Sequence, residues 1–213
     1  MKIIKTDGIT NINELENSGG WYWGTDYASG DLYEAEELFQ DGHEICCNRL
    51  LFLHHPDGQM AEPVKAKEGQ YFGAPVFYDG QVYLLMVDFP AKKILISCWK
   101  PNTEIVTCVT ELPLSSAIDC YNLSLHAGES LMLLRQGGSE PFQIIWPEKA
   151  EFFVSGREGF CFRQSNRLYF SRWEEDPDYR EEVVIRHFPT GDILEVLPGS
   201  LREFPNGQYW LLQ

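Results

Sequence analysis

Apolar and polar residues alternate along this chain in short runs, broken by turn residues at near-regular intervals. Period-two alternation predicts strands with one buried face. One hairpin recurs: an aromatic-rich strand, a tight turn, then a strand opening on a large apolar pair. It reads Phe77-Tyr78-Asp79-Gly80-Gln81-Val82-Tyr83-Leu84 and Leu125-His126-Ala127-Gly128-Glu129-Ser130-Leu131-Met132. It returns as Phe162-Arg163-Gln164-Ser165-Asn166-Arg167-Leu168-Tyr169 and Phe204-Pro205-Asn206-Gly207-Gln208-Tyr209-Trp210-Leu211, with a looser copy over Trp23–Tyr33. The mean step between these turns is about 44 residues.

A second hairpin interleaves with the first. It spans Leu51–Gly58, Leu95–Asn102, Gln143–Lys149 and Val184–Gly191, with a fifth copy at Lys2–Gly8, and its mean step is about 46 residues. Asp-Gly and Asn-Gly supply the positive φ that two-residue hairpin turns need. A proline after an aromatic ends the preceding strand. Two alternating hairpins make a four-stranded unit, and a chain of such units resembles a β-propeller over essentially its whole length. That resemblance implies an all-β fold: five four-stranded antiparallel blades in one domain over residues 1–213. A second-kind hairpin stands first and a first-kind hairpin last, so the N- and C-terminal strands are expected to pair and close the ring without a free edge. The blades fall at 19–69, 70–115, 116–157, 158–199, and 200–213 joined with 1–18.

Two segments strain this pattern. Asp31–Phe39 has good helix formers and a capping-box spacing from Asp31 to Glu34, but the repeat assigns it to a strand. Glu174–Glu182 reads as a long polar loop. Cys98 and Cys108 flank a turn at Thr103, a spacing that would let them face each other across two strands, as packed thiols in a reducing compartment or else as a disulfide.

Charge narrows the partners. There are 32 acidic and 17 basic residues, for a net charge of −15. No third of the chain is basic: residues 1–70 carry −8, 71–157 carry −3 and 158–213 carry −4. Such a surface repels phosphate backbones, so no nucleic-acid partner is expected. No apolar run approaches a membrane span or a secretory signal, which predicts a cytoplasmic protein with no membrane partner. The six cysteines include no Cys-x-x-Cys pair, and the histidines lack metal-ligand spacing, so neither a metal nor a cofactor is expected.

No nucleophile elbow, phosphate loop or dinucleotide fingerprint occurs. Propeller ligands usually sit where the loops entering each first strand, and those between second and third strands, converge. At those positions stand Trp21, Trp23, Tyr71, Asp119, Tyr121, Glu158, Arg163, Arg202 and Glu203, joined by Asp88 and Trp173. Aromatic rings stack on apolar sugar faces while charged groups bind hydroxyls, so a carbohydrate or a protein is the expected ligand. Five blades also occur in furanosidase-type glycoside hydrolases and in a small lectin of the tachylectin type. The hydrolases place three carboxylates around the channel, a part Asp119, Glu158 and Glu203 would imitate. The sequence signatures of both groups are missing, as are the WD dipeptide and the sialidase Asp-box. The expectation is a monomeric, non-enzymatic binding module. The alternative is a carbohydrate-active enzyme with carboxylates at the channel mouth.

Overall fold

In the computed structural model, residues 1–43, 45–138, 140–204 and 208–213 are described. The described residues are all-β apart from one helix and two short 3-10 turns, and the chain divides into two compact units, Met1–Leu125 and His126–Gln213.

The first unit holds two antiparallel sheets. Sheet one runs in the order β1 (Asn13–Glu14), β2 (Trp21–Thr25), β3 (Leu50–His54), β4 (Met60–Ala61). Sheet two contains β5 (Gln70–Phe72), β6 (Val76–Tyr78), β7 (Gln81–Asp88), β8 (Lys93–Trp99) and β9 (Val106–Pro113). Both β5 and β6 pair with β7, one with Met86–Asp88 and the other with Gln81–Tyr83. They are two halves of one strand, interrupted at Gly73-Ala74-Pro75, so sheet two remains four strands wide. Proline has no N–H to give the ladder. Gly73 leaves space that a Cβ would take, 3.0 Å from both Leu32 and Leu85. Where β6 turns into β7, Asp79 and Gly80 have φ of 47° and 73°, the backbone an Asp-Gly hairpin turn requires. Trp21, Trp23, Phe52, Phe72, Leu84 and Trp99 pack into this unit's core.

The second unit begins within sheet three, whose order is β10 (Ser124–His126), β11 (Met132–Arg135), β12 (Phe142–Trp146), β13 (Ala150–Phe152). Sheet four follows as β14 (Glu158–Gln164), β15 (Arg167–Glu174), β16 (Arg180–His187), β17 (Ile193–Pro198). Sheet five has two strands, β18 (Ser200–Glu203) and β19 (Tyr209–Leu212). The expected turn at Asn206-Gly207 lies outside the described residues. Leu134, Phe142, Leu168, Phe170 and Val184 form the core here, and Phe142 contacts Phe152, Phe160 and Phe170 ring to ring.

Four expectations need correction. Lys2–Gly8 is not a strand. Asp7 and Gly8 turn the chain with φ of 50° and 103°, Ile9 is buried, and β1 pairs with β2. Gly24 of β2 admits that approach, since a Cβ there would lie 2.5 Å from the Asn11 carbonyl. The N-terminal segment therefore joins sheet one, and among the described residues sheet five keeps two strands.

The looser hairpin copy is also not a hairpin. Asp31 caps a helix, α1 (Leu32–Gln40), accepting from the N–H of Tyr33 at 2.9 Å and of Glu34 at 3.3 Å, and β2 pairs with β3 instead. Burial of Leu32 and Ala35 on one face gives that helix its tertiary support.

Glu174–Glu182 is shorter as a loop than expected, because Glu174 ends β15 and Arg180 starts β16, with the two paired. Finally, Cys98 lies opposite Thr107, and Cys108 lies opposite Ser97. Adjacent strand positions point to opposite faces, so the two free thiols do not face each other.

Candidate functional site

The second unit places the first turn of sheet three, the end of β14 and the start of β19 around one cavity of about 510 Å³. That volume lies within the range of small-molecule sites. Its walls carry Phe162, Tyr209 and Trp210 together with Glu129, Arg163, Gln164 and Gln208, and Gly128 completes the rim.

Strand pairing fixes the aromatic wall. Phe162 lies opposite Tyr169 in the β14–β15 ladder, and their rings stack at 4.3 Å. Tyr209 of β19 stacks on Phe162 at 4.0 Å. Two rings stacked on one ring must occupy its opposite faces, so the three form a column that ties sheet four to sheet five. Next to Tyr209, Trp210 is 54% exposed and leans on Phe204 at 4.6 Å.

The polar wall is equally constrained. Ser165 holds the β14–β15 turn with φ of 53°, and its N–H donates to Glu129 at 2.8 Å, linking two hairpin turns. Arg163 donates from Nε to the Ser165 carbonyl at 2.7 Å and from Nη1 to Glu148 at 2.7 Å. Its guanidinium lies 3.7 Å from the Phe188 ring centre. Both charges are held in place by their neighbours, so the wall is organised before any ligand arrives.

A second polar centre is buried in the same unit. Glu158 is 4% exposed and receives a two-point contact from Arg186, while Arg172 stands 4.0 Å away. Gln136 donates to the Glu158 carbonyl and accepts from the Phe160 N–H at 3.0 Å. Nearby, His126 lies edge-on to Phe160 at 5.0 Å. Its Nε2 is buried with no hydrogen-bond partner among the described residues. Burial holds this imidazole below its ordinary pKa, partly opposed by a bond to the Cys161 backbone and by the Glu203 charge. Burial likewise pushes the Cys161 thiol up.

The first unit contains a smaller cavity of about 220 Å³ beside the Arg49–Glu62 ion pair. Among the described residues no cluster of three metal-ligating side chains occurs, and no helix is long and apolar enough to cross a membrane.

The residues singled out from sequence separate into several environments. Arg163 lines the large cavity, and Arg202 and Glu203 lie opposite Trp210 and Tyr209 in the β18–β19 ladder. Trp21, Trp23 and Tyr71 are buried among core rings: Trp21 meets Trp99 at 5.3 Å, and Tyr71 meets Phe89 at 5.7 Å. Asp88 organises a turn, accepting from Gln70 at 2.6 Å and from the Ala91 N–H at 2.8 Å. Asp119 accepts from the Tyr121 N–H at 2.9 Å, and Tyr121 packs edge-on against Tyr33. Trp173 is partly exposed beneath the Arg157 guanidinium. Of the three carboxylates compared with those of hydrolases, Asp119 belongs to the first unit and Glu158 and Glu203 to the second.

Glu129, Phe162, Gln164, Gln208, Tyr209 and Trp210 were not among the candidates. They sit at the first-hairpin turns, whereas the sequence candidates stand mostly at the opposite ends of those hairpins. The signal was present in the repeat itself: three of its copies carry an amide or carboxylate beside the turn and an aromatic within four residues of it.

No family model matches the chain, and no curated protein matches it. Among solved structures, a candidate 6-phosphogluconolactonase from Bacteroides uniformis ATCC 8492 aligns with a TM-score of 0.43 and 14% identity. The alignment covers 92% of this chain and 60% of that protein, so the chain spans about three fifths of its length.

Proposed function

We propose that the chain is a five-bladed β-propeller acting as a binding module without chemistry of its own, and that its ligand occupies the 510 Å³ cavity of the second unit. Support for the propeller comes from five antiparallel sheets in chain order, four of them four strands wide or close to it. The observation that carries the binding role is the lining of that cavity. A preformed column of stacked rings stands beside a carboxylate, a guanidinium and two amides, as expected of a site for a small molecule with an apolar face and a polar edge.

The hydrolase alternative has less support. Glycoside hydrolysis uses two carboxyl groups roughly 5–10 Å apart on either side of the scissile bond. Glu129 is the one carboxylate among the described lining residues. Glu158 has both oxygens engaged by Arg186, which ties it to a structural role.

A fragment screen by ligand-observed NMR tests this reading on the full chain, comparing wild type with Gln164→Ala and Trp210→Ala. Hits that disappear in both variants, with folding confirmed by circular dichroism, support the cavity as the site. Hits that persist unchanged in both overturn it, and turnover of an aryl glycoside by the wild type would restore the hydrolase.

A further inference from the structure

We infer that Cys46 and Cys47 form a redox modification site in the first unit. A low-molecular-weight disulfide closes a bond between these adjacent thiols, and closure loosens the link from Asn48 to β5.

These two cysteines stand apart from the other four. Cys120 is buried, and burial pushes its thiol up, as it does for Cys161. Cys98 and Cys108 hold adjacent register positions that point to opposite faces. Cys46 and Cys47 are free, exposed and consecutive, in the segment between α1 and β3. An exposed thiol is open to an oxidant, and a second thiol one residue away resolves the first product.

The co-reactant is a disulfide such as oxidised glutathione. One cysteine, as thiolate, attacks a glutathione sulfur, forming a mixed disulfide and expelling one glutathione thiolate. The neighbouring cysteine then attacks the protein sulfur of that mixed disulfide and expels the second glutathione. Two protein thiols are oxidised and one glutathione disulfide is reduced. The two protons leave the cysteines and end on the two glutathione thiols.

The position of the pair decides what the bond does. Consecutive Cα atoms lie ~3.8 Å apart across a trans peptide, closer than the roughly 4.4–6.8 Å that most disulfides span. Ring closure therefore reshapes the backbone between the two residues, and the strain keeps the bond easy to reduce. Anchors on both sides leave that backbone little slack: Ile45 is 8% exposed and Asn48 1%. Asn48 Oδ1 accepts from the Phe72 N–H and its Nδ2 donates to Asp26, each at 2.8 Å. The Arg49 N–H donates to the same Asp26 oxygen, which holds the chain just beyond Asn48. A ring closed at Cys47 pulls on Asn48 through one peptide bond, and the Phe72 N–H loses its acceptor.

The test equilibrates the full chain in glutathione buffers of rising oxidised-to-reduced ratio. Peptide mass mapping reads the state of Cys46 and Cys47, and NMR hydrogen exchange reads the Phe72 amide. The peptide carrying both cysteines should lose two hydrogens and regain them with dithiothreitol. Phe72 exchange should run about tenfold or more faster in the oxidised chain, while the Val184 amide of the second unit keeps its rate. Cys46→Ser should instead carry one glutathione on Cys47 and keep the slow Phe72 rate. Glutathione on either cysteine of the wild type at every ratio, with no internal bond, overturns the site, as does a bond from either one to another cysteine. An internal bond that leaves the Phe72 rate unchanged overturns the coupling to Asn48. Equal acceleration at Phe72 in Cys46→Ser overturns ring closure as its cause.

Discussion

Arg186 grips Glu158 through both carboxylate oxygens, Nε to Oε2 at 2.9 Å and Nη2 to Oε1 at 3.0 Å. The same guanidinium donates from Nη1 to the Gly191 carbonyl at 2.8 Å, which ties the β16–β17 turn to the start of β14. Glu158 and Arg186 are 4% and 8% exposed. A buried pair of this kind contributes little net stability against a hydrophobic replacement, yet removing one partner strands a buried charge. Arg186→Met is therefore expected to cost about 3 kcal/mol, the low end of the usual range because Arg172 remains 4.0 Å from Glu158. Adding Glu158→Leu in the same chain should recover most of that loss. Urea unfolding of the two single variants and the double variant measures both effects. A double variant as unstable as Arg186→Met would show that the contact does more than neutralise its partner.

His126 is expected to make the fold sensitive to acid. Its imidazole is buried against Phe160, its Nε2 has no partner among the described residues, and burial depresses its pKa. A hydrogen bond with the Cys161 backbone and the Glu203 charge oppose the depression without overcoming it. Below the unfolded pKa of about 6.5 the unfolded chain takes up a proton that the folded chain refuses. Stability should thus be unaffected by His126 above that pH and fall as pH drops toward the folded pKa, at up to about 1.4 kcal/mol per pH unit. Unfolding midpoints between pH 7.5 and 5 check this, with His126→Phe expected to flatten the decline. An equal decline in that variant would assign it to other groups.

The strand pattern was readable because hairpins are local. Tyr78-Asp79-Gly80-Gln81 specifies its own turn, and Phe162 and Tyr169 meet across a few residues of chain. The misreadings share a physical origin in contacts made at long range. Residues 31–39 carry both a capping spacing and a place in the repeat, and burial of Leu32 and Ala35 decided for the helix. The N-terminal segment had the spacing of a hairpin, but Gly24 lets its backbone lie against β2. Large aromatics such as Trp21 and Tyr71 serve equally as ligand platforms and as core, and only packing against Trp99 and Phe89 separates the two uses. The cavity was hidden because it joins turns of three sheets, a relationship that alternation along one strand does not record.

The N-cap of α1 gives a local test of that helix. Asp31 accepts from two of the otherwise unpaired N–H groups of its first turn. Asp31→Ala should cost about 1 kcal/mol, and Asp31→Asn much less, since an amide oxygen caps nearly as well. Thermal unfolding of both variants discriminates capping from surface charge. Equal losses in the two would show that the carboxylate charge, not the cap, is what stabilises the helix start.

Asn48, two residues before β3, hydrogen-bonds to β5 of sheet two and to Asp26, the residue that follows β2. It is almost fully buried, its Oδ1 accepts from the Phe72 N–H at 2.8 Å, and its Nδ2 donates to Asp26 at 2.8 Å. Asp26 has a second donor in the Arg49 N–H at 2.8 Å, whereas Asn48→Leu would leave the Phe72 N–H without its side-chain acceptor. A buried donor deprived of its acceptor costs about 1–3 kcal/mol, so Asn48→Leu should destabilise the chain by about 2 kcal/mol despite its apolar surroundings. Asn48→Asp separates the two bonds. A carboxylate still accepts from Phe72 but confronts Asp26, and burial beside a like charge raises the pKa of the new group above its unfolded value of about 3.9. Its penalty is therefore full at neutral pH and shrinks as pH falls through the raised folded pKa, because the protonated form can donate to Asp26 as the amide did. Urea unfolding at pH 7 and pH 4.5 reads the difference between the variants. A loss in Asn48→Asp that does not shrink on acidification would show that the Asp26 contact is not what the amide supplies.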